Sequence, residues 1–465
     1  MLGLTAGEAA RTLRGRLCGD AARPLRGVRS DSRAVQPGDL FVALPGARTD
    51  GHVFLEDVQA RGAVAALALP GRGGRPAGLT VIEVPDVLAA LGELARFHLG
   101  RLRARVYGVT GTVGKTTAKD LLAQMLGGAP LGVHAAPASF NSEVGVPLSV
   151  LGAPLGCRAL VLEYGVNAPG EMERLLAIAR PHESWITALT EVHLEGMGDL
   201  RTIVREKALL AAAAPASGRV WLGSMVRAQL ATLAPDWAAP VCALPGLGER
   251  GLRARSRKPL AWRLAHPRWG ELRLPMVAEH EVEIALAAAE IAAAAGAEPG
   301  EIVERLQRLE RPQGRLTVHR YGGVTVLDDA YNSSPASARA ALSTLAAWPG
   351  AGRRLAVLGT MHELGAASER LHRDLGRAAA AWTFERLIGV GAGGAWIADS
   401  ARAAGLAASA CADPAAAAAA LCADLRAGDV VLLKASRAER LDHMLEPLGR
   451  AAARGRATAR AAGGT

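Results

Sequence analysis

The stretch Val106-Tyr-Gly-Val-Thr-Gly-Thr-Val-Gly-Lys-Thr-Thr117 decides the architecture of this chain. It begins with an apolar run typical of a buried strand, turns at glycines, and ends in a Gly-Lys-Thr sequence that opens a helix. In such a turn the backbone N–H groups bind phosphate oxygens, the lysine reaches the outer phosphates, and the threonine hydroxyl binds Mg²⁺. The stretch therefore predicts a P-loop that binds a nucleoside triphosphate with Mg²⁺.

Lysine is rare in this chain, and the positions where it is retained are informative. Of the 54 lysines and arginines, five are lysines: Lys115, Lys119, Lys207, Lys258 and Lys434. Guanidinium stays charged and cannot act as an amine, so lysine is needed wherever a compact ammonium or a deprotonatable amine is required. The retained lysines are therefore candidate active-site residues, except for Lys258, which the context Arg257-Lys-Pro259 predicts to lie in a loop and to be dispensable.

The glycine spacing distinguishes this P-loop from the general pattern. Gly-x-x-x-x-Gly-Lys-Thr would place a glycine where the chain has Val109. The segment Thr110-Gly-Thr-x-Gly-Lys-Thr-Thr117 instead resembles the P-loop of the Mur ligases, the ATP-dependent amide ligases of peptidoglycan synthesis. The resemblance implies that ATP is bound by Gly111, Thr112, Gly114, Lys115, Thr116 and Thr117.

Length and composition restrict the class of protein. A chain of 465 residues is long enough for several domains, and its net charge of +10 suits an acidic ligand such as a nucleotide. The sequence lacks the stripe of arginines interleaved with aromatic residues that is typical of nucleic-acid binding, so no nucleic-acid partner is expected. The five cysteines are scattered, which favours reduced thiols in a cytoplasm. No uncharged apolar stretch of about 18 residues is present, so we expect a cytoplasmic protein without a membrane span.

The pattern of strands and helices predicts an α/β protein of three domains. Residues 1–95, with short strands and turns, form a small α/β domain, which the resemblance assigns to the UDP substrate. Residues 96–312 alternate strands and helices around the P-loop, which predicts a mostly parallel sheet. Residues 313–465 contain a second alternating set and predict a Rossmann-like domain. The basic end, about 452–465, is expected to be a disordered tail.

Three residues beyond the P-loop are candidate metal ligands. Glu163 ends an apolar strand beside the P-loop strand, where a carboxylate can bind Mg²⁺, although such a residue is also typical of a solvated strand end. Its context, Glu163-x-Gly-x-Asn-x-x-Gly-Glu171, is similar to the Mur ligases, in which this glutamate is a metal ligand. In that family the residues matching His193 and Lys207 bind a second Mg²⁺, the lysine as a carbamate formed with CO₂. Arginine cannot form a carbamate, which agrees with the retained lysine.

Further segments resemble the family in both outer domains. Gly314-Arg-Leu and Leu327-Asp-Asp-Ala-Tyr-Asn332 imply that Arg315 contacts the γ-phosphate, Asp329 the ribose, and Tyr331 and Asn332 the region near the nucleotide. Lys434-Ala-Ser-Arg437 implies a substrate side formed by Lys434, Ser436 and Arg437. The likeness also covers residues 139–147 and 359–365. In the N-terminal domain it implies that the UDP substrate is bound by Ser30, Asp31, Ser32, Arg33, Asp50, Gly51 and His52.

The resemblance is to the branch of the family that adds D-alanyl-D-alanine to UDP-N-acetylmuramoyl-tripeptide through an acyl phosphate. It implies Lys115, His193, Lys207 and Arg315 as catalytic residues, ATP and two Mg²⁺ ions as cofactors, and a monomer. Two alternatives remain open. The first is a related ligase that joins a single amino acid, or a different amine, to a carboxylate. The second is a P-loop protein that uses ATP only as a conformational switch.

One departure from the family pattern concerns the base of the nucleotide. Where the family has His-Asn-x-x-Asn, this chain has His280-Glu-Val-Glu283. His280 remains a predicted ATP-binding residue. A carboxylate can accept a hydrogen bond from the adenine amino group but cannot donate one to a ring nitrogen. A weaker preference for ATP over GTP is therefore predicted.

Overall fold

The computed structural model describes residues 2–46, 49–234, 240–247, 253–258, 261–312 and 314–462. In this part of the chain, three α/β domains follow one another, and the parallel strand pairs lie within three larger sheets. The predicted fold class is confirmed. No helix among these residues is long and apolar enough to cross a membrane.

The N-terminal domain is built on a five-stranded sheet with the order β2-β7-β6-β5-β4. The strands of this sheet are β2 (Arg16–Cys18), β4 (Gly27–Arg29), β5 (Asp39–Val42), β6 (Ala65–Ala68) and β7 (Thr80–Glu83), and β1 (Leu4–Thr5) pairs with β3 (Pro24–Leu25) in a separate two-stranded antiparallel sheet. The helices of the N-terminal domain are α1 (Ala6–Thr12), α2 (Leu55–Ala60) and α3 (Val87–Arg101). Asp86 caps α3, accepting a hydrogen bond from Ala89 N.

The central domain contains a six-stranded, all-parallel sheet with the order β13-β12-β11-β8-β10-β9. The strands are β8 (Arg105–Thr110), β9 (Val133–Ala135), β10 (Ala159–Glu163), β11 (Glu183–Ile186), β12 (Arg219–Gly223) and β13 (Val241–Leu244). The helices between them are α4 (Lys115–Met125), α5 (Gly145–Gly152), α6 (Glu171–Ile178), α7 (Leu194–Met197), α8 (Leu200–Ala212) and α9 (Ser224–Leu233). Since β8 lies between β10 and β11, residues at the carboxyl ends of these three strands meet.

A small antiparallel sheet completes the central domain, and the sequence pattern did not predict it. Its strands are β14 (Arg253–Lys258), β15 (Ala261–His266) and β16 (Gly270–Leu274), followed by helices α10 (Glu279–Ala294) and α11 (Pro299–Gln307). Trp262 and Leu264 of β15 are buried in one apolar cluster with Leu121 of α4. This sheet therefore packs against the domain that carries the P-loop.

The C-terminal domain has a six-stranded sheet with the order β17-β18-β22-β19-β20-β21, in which only the β17 pairing is antiparallel. Its strands are β17 (Thr317–Tyr321), β18 (Val324–Asp329), β19 (Arg354–Gly359), β20 (Arg386–Val390), β21 (Ala408–Cys411) and β22 (Val430–Lys434). Its helices are α12 (Pro335–Ala346), α13 (Ser368–Ala379), α14 (Gly391–Ala403), α15 (Pro414–Cys422) and α16 (Leu445–Ala462).

The end of the chain differs from the sequence-based expectation. Residues 452–462 continue helix α16 where a disordered tail was predicted. Alanine and arginine are strong helix formers, and the preceding turn is anchored by buried Leu448 and Ala452. Helix propensity thus extends an element that tertiary packing has started.

Apolar cores join the domains. One cluster contains Leu40 of the N-terminal sheet, Leu94 of α3 and Leu160 of β10. Another includes Val277, just before α10, together with Leu358 of the C-terminal sheet. The central domain is therefore packed against both of its neighbours.

Candidate active site

The P-loop lies between β8 and α4 and has the backbone that its glycines allow. Gly111 (φ 147°) and Gly114 (φ 82°) have positive φ angles. A Cβ atom at Gly111 would lie 2.1 Å from Oγ1 of Thr187, so a side chain is excluded there. Lys115 begins α4 and donates a hydrogen bond from Nζ to the Gly111 carbonyl at 3.0 Å. Burial lowers the pKa of this amine.

A polar cluster lies beside the P-loop, at the end of β10. Thr116 Oγ1 donates to Glu163 Oε2 at 2.8 Å, and Asn141 Nδ2 donates to Glu163 Oε1 at 2.7 Å. Ser139 Oγ lies 3.2 Å from Thr116 Oγ1. Mg²⁺ in nucleotide sites is held by one or two protein oxygens, with phosphates and waters completing the octahedron. The donor set of one carboxylate and neighbouring hydroxyls fits that ion.

No group of three histidine, cysteine or acidic residues that could hold a metal occurs among the described residues. A dedicated zinc centre takes nearly all its ligands from nitrogen- or sulfur-bearing side chains. A Mg²⁺ site at a P-loop takes most of its ligands from the nucleotide and from water.

Residues of the C-terminal domain reach into the same cluster. An Arg315 guanidinium nitrogen lies 3.4 Å from Thr116 Oγ1, and the guanidinium carbon lies 4.5 Å from the centre of the Tyr331 ring. The Tyr331 hydroxyl donates to Ser139 Oγ at 3.0 Å. A cation and an aromatic ring from one domain therefore face the phosphate-binding turn of another.

A second group of candidate ligands lies around Lys207. This residue, on α8, is only 1% exposed, and burial, with the nearby Lys115 ammonium, lowers its pKa well below the ordinary value. The carboxylate of Glu206 accepts hydrogen bonds from the backbone of Gly170 and Met172, at 3.1 and 2.7 Å. Burial thus shifts the equilibrium of the Lys207 amine towards its neutral form.

His193 follows β11 and immediately precedes α7 as its N-cap residue. Its backbone has a positive φ of 51°, and its ring nitrogen Nδ1 contacts Oε2 of Glu363 from the C-terminal domain. The His193 contact lowers the pKa of the Glu363 carboxyl. Glu363 was not among the residues predicted from sequence.

A cavity of about 610 Å³ lies where the central and C-terminal domains meet. Eleven residues predicted from sequence line it: Thr112, Gly114, Lys115, Thr116, Glu163, His193, Arg315, Tyr331, Asn332, Ser436 and Arg437. Other predicted residues are not part of its lining: Gly111, Thr117, Lys207, His280, Asp329 and Lys434. The P-loop turn and the C-terminal segments are thus brought together, although they are far apart in sequence.

Two of the rare lysines hold loops of this cavity in place. Lys119 is fully buried; its Nζ donates to the carbonyls of Ala136 and Ala138, at 2.5 and 2.8 Å, and lies 2.8 Å from Oδ1 of Asp120. It fixes the segment that carries Ser139 and Asn141. A tetrahedral ammonium suits these acceptors, whereas a planar guanidinium would not.

Lys434 has the corresponding place in the C-terminal domain. Its Nζ pairs with Asp329 Oδ2 at 2.8 Å and donates to the Asn332 carbonyl at 2.6 Å. Both charged groups are nearly buried. The pair fixes the turn that presents Tyr331 and Asn332 to the cavity.

The residues predicted to bind the UDP substrate do not line this cavity. Arg33 forms two side-chain hydrogen bonds with Asp31, at 2.9 and 2.8 Å, and remains exposed. Asp50 accepts from His52 N at 3.0 Å and meets His52 Nδ1 at 2.5 Å, while His52 Nε2 accepts from Leu69 N at 2.8 Å. His52 is therefore a buried structural residue of the N-terminal domain. Gly51 approaches the backbone of Leu44, and Ser30 and Ser32 flank Asp31 in the sequence.

The two glutamates that depart from the family pattern have partners of their own. Glu281 accepts hydrogen bonds from Val277 N and Ala278 N, at 2.9 and 3.0 Å, and so caps helix α10. Glu283 accepts from Leu247 N at 3.2 Å. The protein backbone thus provides the donors that these carboxylates need.

Comparison with known families decides the relationship. Three family models match the chain: the catalytic domain of the Mur ligase family over residues 24–98, the Mur ligase middle domain over 109–238, and the Mur ligase glutamate ligase domain over 314–437. The chain belongs to the Mur ligase family. Among Mur ligases, the UDP-N-acetylmuramoyl-tripeptide--D-alanyl-D-alanine ligases of Mycobacterium tuberculosis and Bacillus subtilis are 37% and 30% identical. The alignments cover 90% and 91% of this chain, and 91% and 93% of those relatives.

Solved Mur ligases have the same fold. MurF from Acinetobacter baumannii is 26% identical, with a TM-score of 0.82 over 96% of this chain and 99% of that one. The MurF ligase from Thermotoga maritima in complex with ADP is also 26% identical, with a TM-score of 0.78 over 92% and 98%.

Sequence reasoning did not assign Ser139, Asn141 and Glu363 to the site, although all three line the cavity. They lie in segments whose likeness to Mur ligases is visible in the sequence. The motif alone does not tell which side chain of a loop faces the cavity. The direction is set by the contacts of Lys119 and by the docking of the C-terminal domain.

Proposed function

We propose that this Mur ligase joins D-alanyl-D-alanine to UDP-N-acetylmuramoyl-tripeptide, using ATP, in the synthesis of peptidoglycan precursors. The observation that carries this proposal is the similarity to curated ligases of that name, at 37% identity over nine tenths of both chains. The P-loop and the C-terminal turn that contains Tyr331 and Asn332 line the same cavity, which agrees with a reaction that brings a nucleotide to a second substrate.

The proposed reaction has two steps. A terminal carboxylate oxygen of the tripeptide attacks the γ-phosphorus of ATP; the bond to the bridging oxygen breaks, and an acyl phosphate and ADP form. The amine of D-alanyl-D-alanine then attacks the acyl carbon and loses a proton, and phosphate leaves. Since carboxylate and triphosphate are both anionic, neutralising their charge and aligning them are the main demands on the protein.

Lys115 and Arg315 suit these demands. Lys115 begins the P-loop helix, where its ammonium can neutralise the negative charge of the outer phosphates. Arg315 enters from the other domain, held over the Tyr331 ring beside Thr116. A γ-phosphate between these two groups would be neutralised from both sides. Tyr331 and Asn332 flank the same space, and Asp329, paired with Lys434, supports their turn.

For Mg²⁺ we infer two sites. Thr116 and Glu163 would hold one ion, and His193 with a carbamate on Lys207 would hold the other; bound Mg²⁺ would lower the negative charge on the reacting oxygens. Two observations support the carbamate. Lys207 is buried, and its lowered pKa favours the neutral amine, the form that reacts with CO₂.

We also propose that the N-terminal domain binds the UDP portion of the substrate. Arg33 is an exposed guanidinium held in a fixed direction by Asp31, which suits a diphosphate. Ser436 and Arg437, at the cavity edge, suit a substrate carboxylate. These assignments follow the family resemblance.

The decisive experiment is a coupled product analysis. Purified protein is incubated with ATP, Mg²⁺ and UDP-N-acetylmuramoyl-tripeptide, with a panel of amines that includes D-alanyl-D-alanine, D-alanine and L-amino acids. We expect mass spectrometry to show the D-alanyl-D-alanine adduct, with one phosphate released per amide. A product formed only with a single amino acid would support the related ligase instead. Phosphate release in the absence of both UDP-N-acetylmuramoyl-tripeptide and an amine would support an ATP-driven switch.

A further inference from the structure

Two residues that face each other across the boundary between the central and C-terminal domains share an uncommon backbone conformation. His193 has φ 51° and Glu363 has φ 64°, and neither is glycine. Residues other than glycine rarely adopt a positive φ angle. Where they do, the surrounding structure holds them in place, often at functional sites. The positive φ angles of His193 and Glu363 therefore indicate a functional role for the two residues.

Backbone contacts hold the two segments together. The Glu195 N–H donates to the Glu363 carbonyl at 3.4 Å. A Cβ atom at Gly365 would lie 3.2 Å from the Cα of Glu195, so the chains approach closely. Leu194 packs against the apolar core of the C-terminal domain, which includes Leu364. The direction of both side chains is thus set by docking of the two domains.

The side-chain contact defines the state of the imidazole. The Glu363 carboxylate meets Nδ1 of His193, so Nδ1 carries the proton and donates it to the carboxylate. This leaves the lone pair of Nε2 available, and the structure shows no hydrogen bond from Nε2 to the described residues. His193 lines the cavity together with Lys115. A carboxylate bound to one imidazole nitrogen fixes the tautomer and makes the other nitrogen a better metal ligand.

We propose that Glu363 is a positioning residue that fixes the ring of His193 for cation binding, so that the site of His193 and Lys207 is complete only when the C-terminal domain is docked. The inference rests on the proposed role of His193 as a Mg²⁺ ligand. It adds a contribution of the C-terminal domain to a cation site whose ligands all belong to the central domain. Formation of that site and closure of the domains then become one event.

The test measures cation binding directly, with Mn²⁺ as the probe and electron paramagnetic resonance as the readout. Wild-type protein, Glu363→Gln and the matched control Glu369→Gln are titrated with Mn²⁺ in the presence of a non-hydrolysable ATP analogue. Glu369 is an exposed glutamate of the same domain, paired only with Arg373 among its described ion-pair contacts. We expect Glu363→Gln to weaken one of two Mn²⁺ sites by about 10- to 100-fold and to leave the other unchanged. The control should match wild type.

A second comparison separates positioning from a general structural role. In a His193→Ala background, Glu363→Gln should cause no further loss of Mn²⁺ affinity, because the ring that it orients is gone. In the wild-type background kcat should fall while the KM for ATP stays within about twofold, since the first site is intact. Radius of gyration, measured by small-angle X-ray scattering, should not change in Glu363→Gln.

Unchanged Mn²⁺ affinities in Glu363→Gln would overturn the inference. So would a further loss in the His193→Ala background, or an expanded radius of gyration with both Mn²⁺ sites intact, which would mark Glu363 as a domain latch only. These outcomes differ from failure of the proposed function. If wild-type protein makes no ligation product, the function is wrong; if it ligates and binds two Mn²⁺ ions regardless of Glu363, only this inference is wrong.

Discussion

At the scale of single residues, the rarity of lysine is the most useful property of this chain. Lys119, Lys207 and Lys434 are nearly completely buried, and Lys115 begins the P-loop helix. Burying a charge is costly unless it is paired or neutralised. Lys119 and Lys434 meet carbonyl and carboxylate oxygens, whereas the environment of Lys207 favours the neutral amine. Each position requires a chemical property that arginine lacks.

The first prediction concerns Lys115. Lys115→Ala should lower kcat by at least about 100-fold, because the outer phosphates lose a fixed cation in a site of low dielectric. Steady-state phosphate release under saturating substrates measures it. The matched control is Lys258→Arg, at the end of strand β14 where a loop was predicted, which should keep wild-type activity. Wild-type turnover in Lys115→Ala would reject the P-loop assignment.

The second prediction concerns the carbamate. Lys207→Arg keeps a long basic side chain, yet it should lower kcat by about 100-fold or more, because guanidinium neither forms a carbamate nor binds Mg²⁺. Circular dichroism should show an unchanged fold. Lys207→Ala should recover part of its activity when a small carboxylic acid such as formate is added. Full activity of Lys207→Arg would remove this residue from the second metal site.

At the scale of elements, local sequence explains where several helices begin. Asp86 caps α3 and Asp199 caps α8, each through a side-chain oxygen. Glu281, which departs from the family pattern, accepts hydrogen bonds from the backbone N–H groups of Val277 and Ala278 at the start of α10. That helix contacts α4, the helix of the P-loop. The glutamate at position 281, which was expected to alter recognition of the nucleotide base, therefore also stabilises the start of α10.

The third prediction follows from this cap. Glu281→Ala should lower the free energy of unfolding by about 1 kcal/mol, because two backbone N–H groups at a buried helix start lose their acceptor. Urea unfolding followed by fluorescence measures it, with exposed Glu304→Ala as the control. Restoring asparagine at positions 281 and 283 tests the base: a changed ratio of ATP to GTP turnover would implicate both glutamates, and an unchanged ratio would exclude them from base recognition.

The fourth prediction concerns the short helix Gly51–Phe54, which Asp50 caps. Hydrogen bonds from the His52 backbone and ring lower the pKa of Asp50 from 3.8 to about 2. A lowered carboxyl pKa means that the ionised form stabilises the fold; this contribution is complete above about pH 4 and disappears as pH falls towards 2. Asp50→Asn should therefore melt at a lower temperature than wild type at pH 7.

That difference in melting temperature should shrink between pH 4 and pH 2. Asp57→Asn, on the adjacent helix α2 with an exposed carboxyl 3.9 Å from Arg61, is the control and should show a much smaller difference. A constant difference across this pH range would mean that the charge of Asp50 is not what stabilises the segment.

At the scale of the whole molecule, the cavity belongs to two domains. Arg315 and Tyr331 reach from the C-terminal domain to Thr116 and Ser139 of the central domain. The apolar core around Val277 continues from one domain into the other. A site shared by two domains can exclude water from a reactive acyl phosphate when the domains close around the substrates.

The fifth prediction uses this arrangement. The magnesium complex of a non-hydrolysable ATP analogue, at 100 times its Kd, should stabilise the protein by about 2.7 kcal/mol, visible as a rise in Tm. Arg315→Ala should reduce the rise at the same concentration of the analogue, because the cation that faces the γ-phosphate from the second domain is removed. Arg339→Ala, on α12 and outside the cavity lining, serves as the control. An undiminished rise in Arg315→Ala would show that the residue does not contribute to nucleotide binding.

Much of the architecture could be predicted from the sequence alone. Apolar runs such as Arg105–Thr110 and Arg354–Gly359 have the bounds of the strands observed, and their alternation with helices predicts parallel sheets. The order glycine turn, lysine, threonine at the end of a strand identifies a P-loop, because phosphate binding depends on local backbone geometry. These properties are encoded over about ten consecutive residues, which is why they can be read without the rest of the chain.

The assembly of the candidate site was decided only by tertiary structure. His193 and Glu363 are 170 positions apart, and Arg315 and Thr116 are 199 positions apart. Whether such side chains meet depends on the packing of whole domains, for which no local pattern exists. The same holds for Asn141, which reaches Glu163 because Lys119 fixes its loop, and for the antiparallel strands β14 to β16. Local backbone chemistry thus determined the parts, and burial between domains determined which parts face one another.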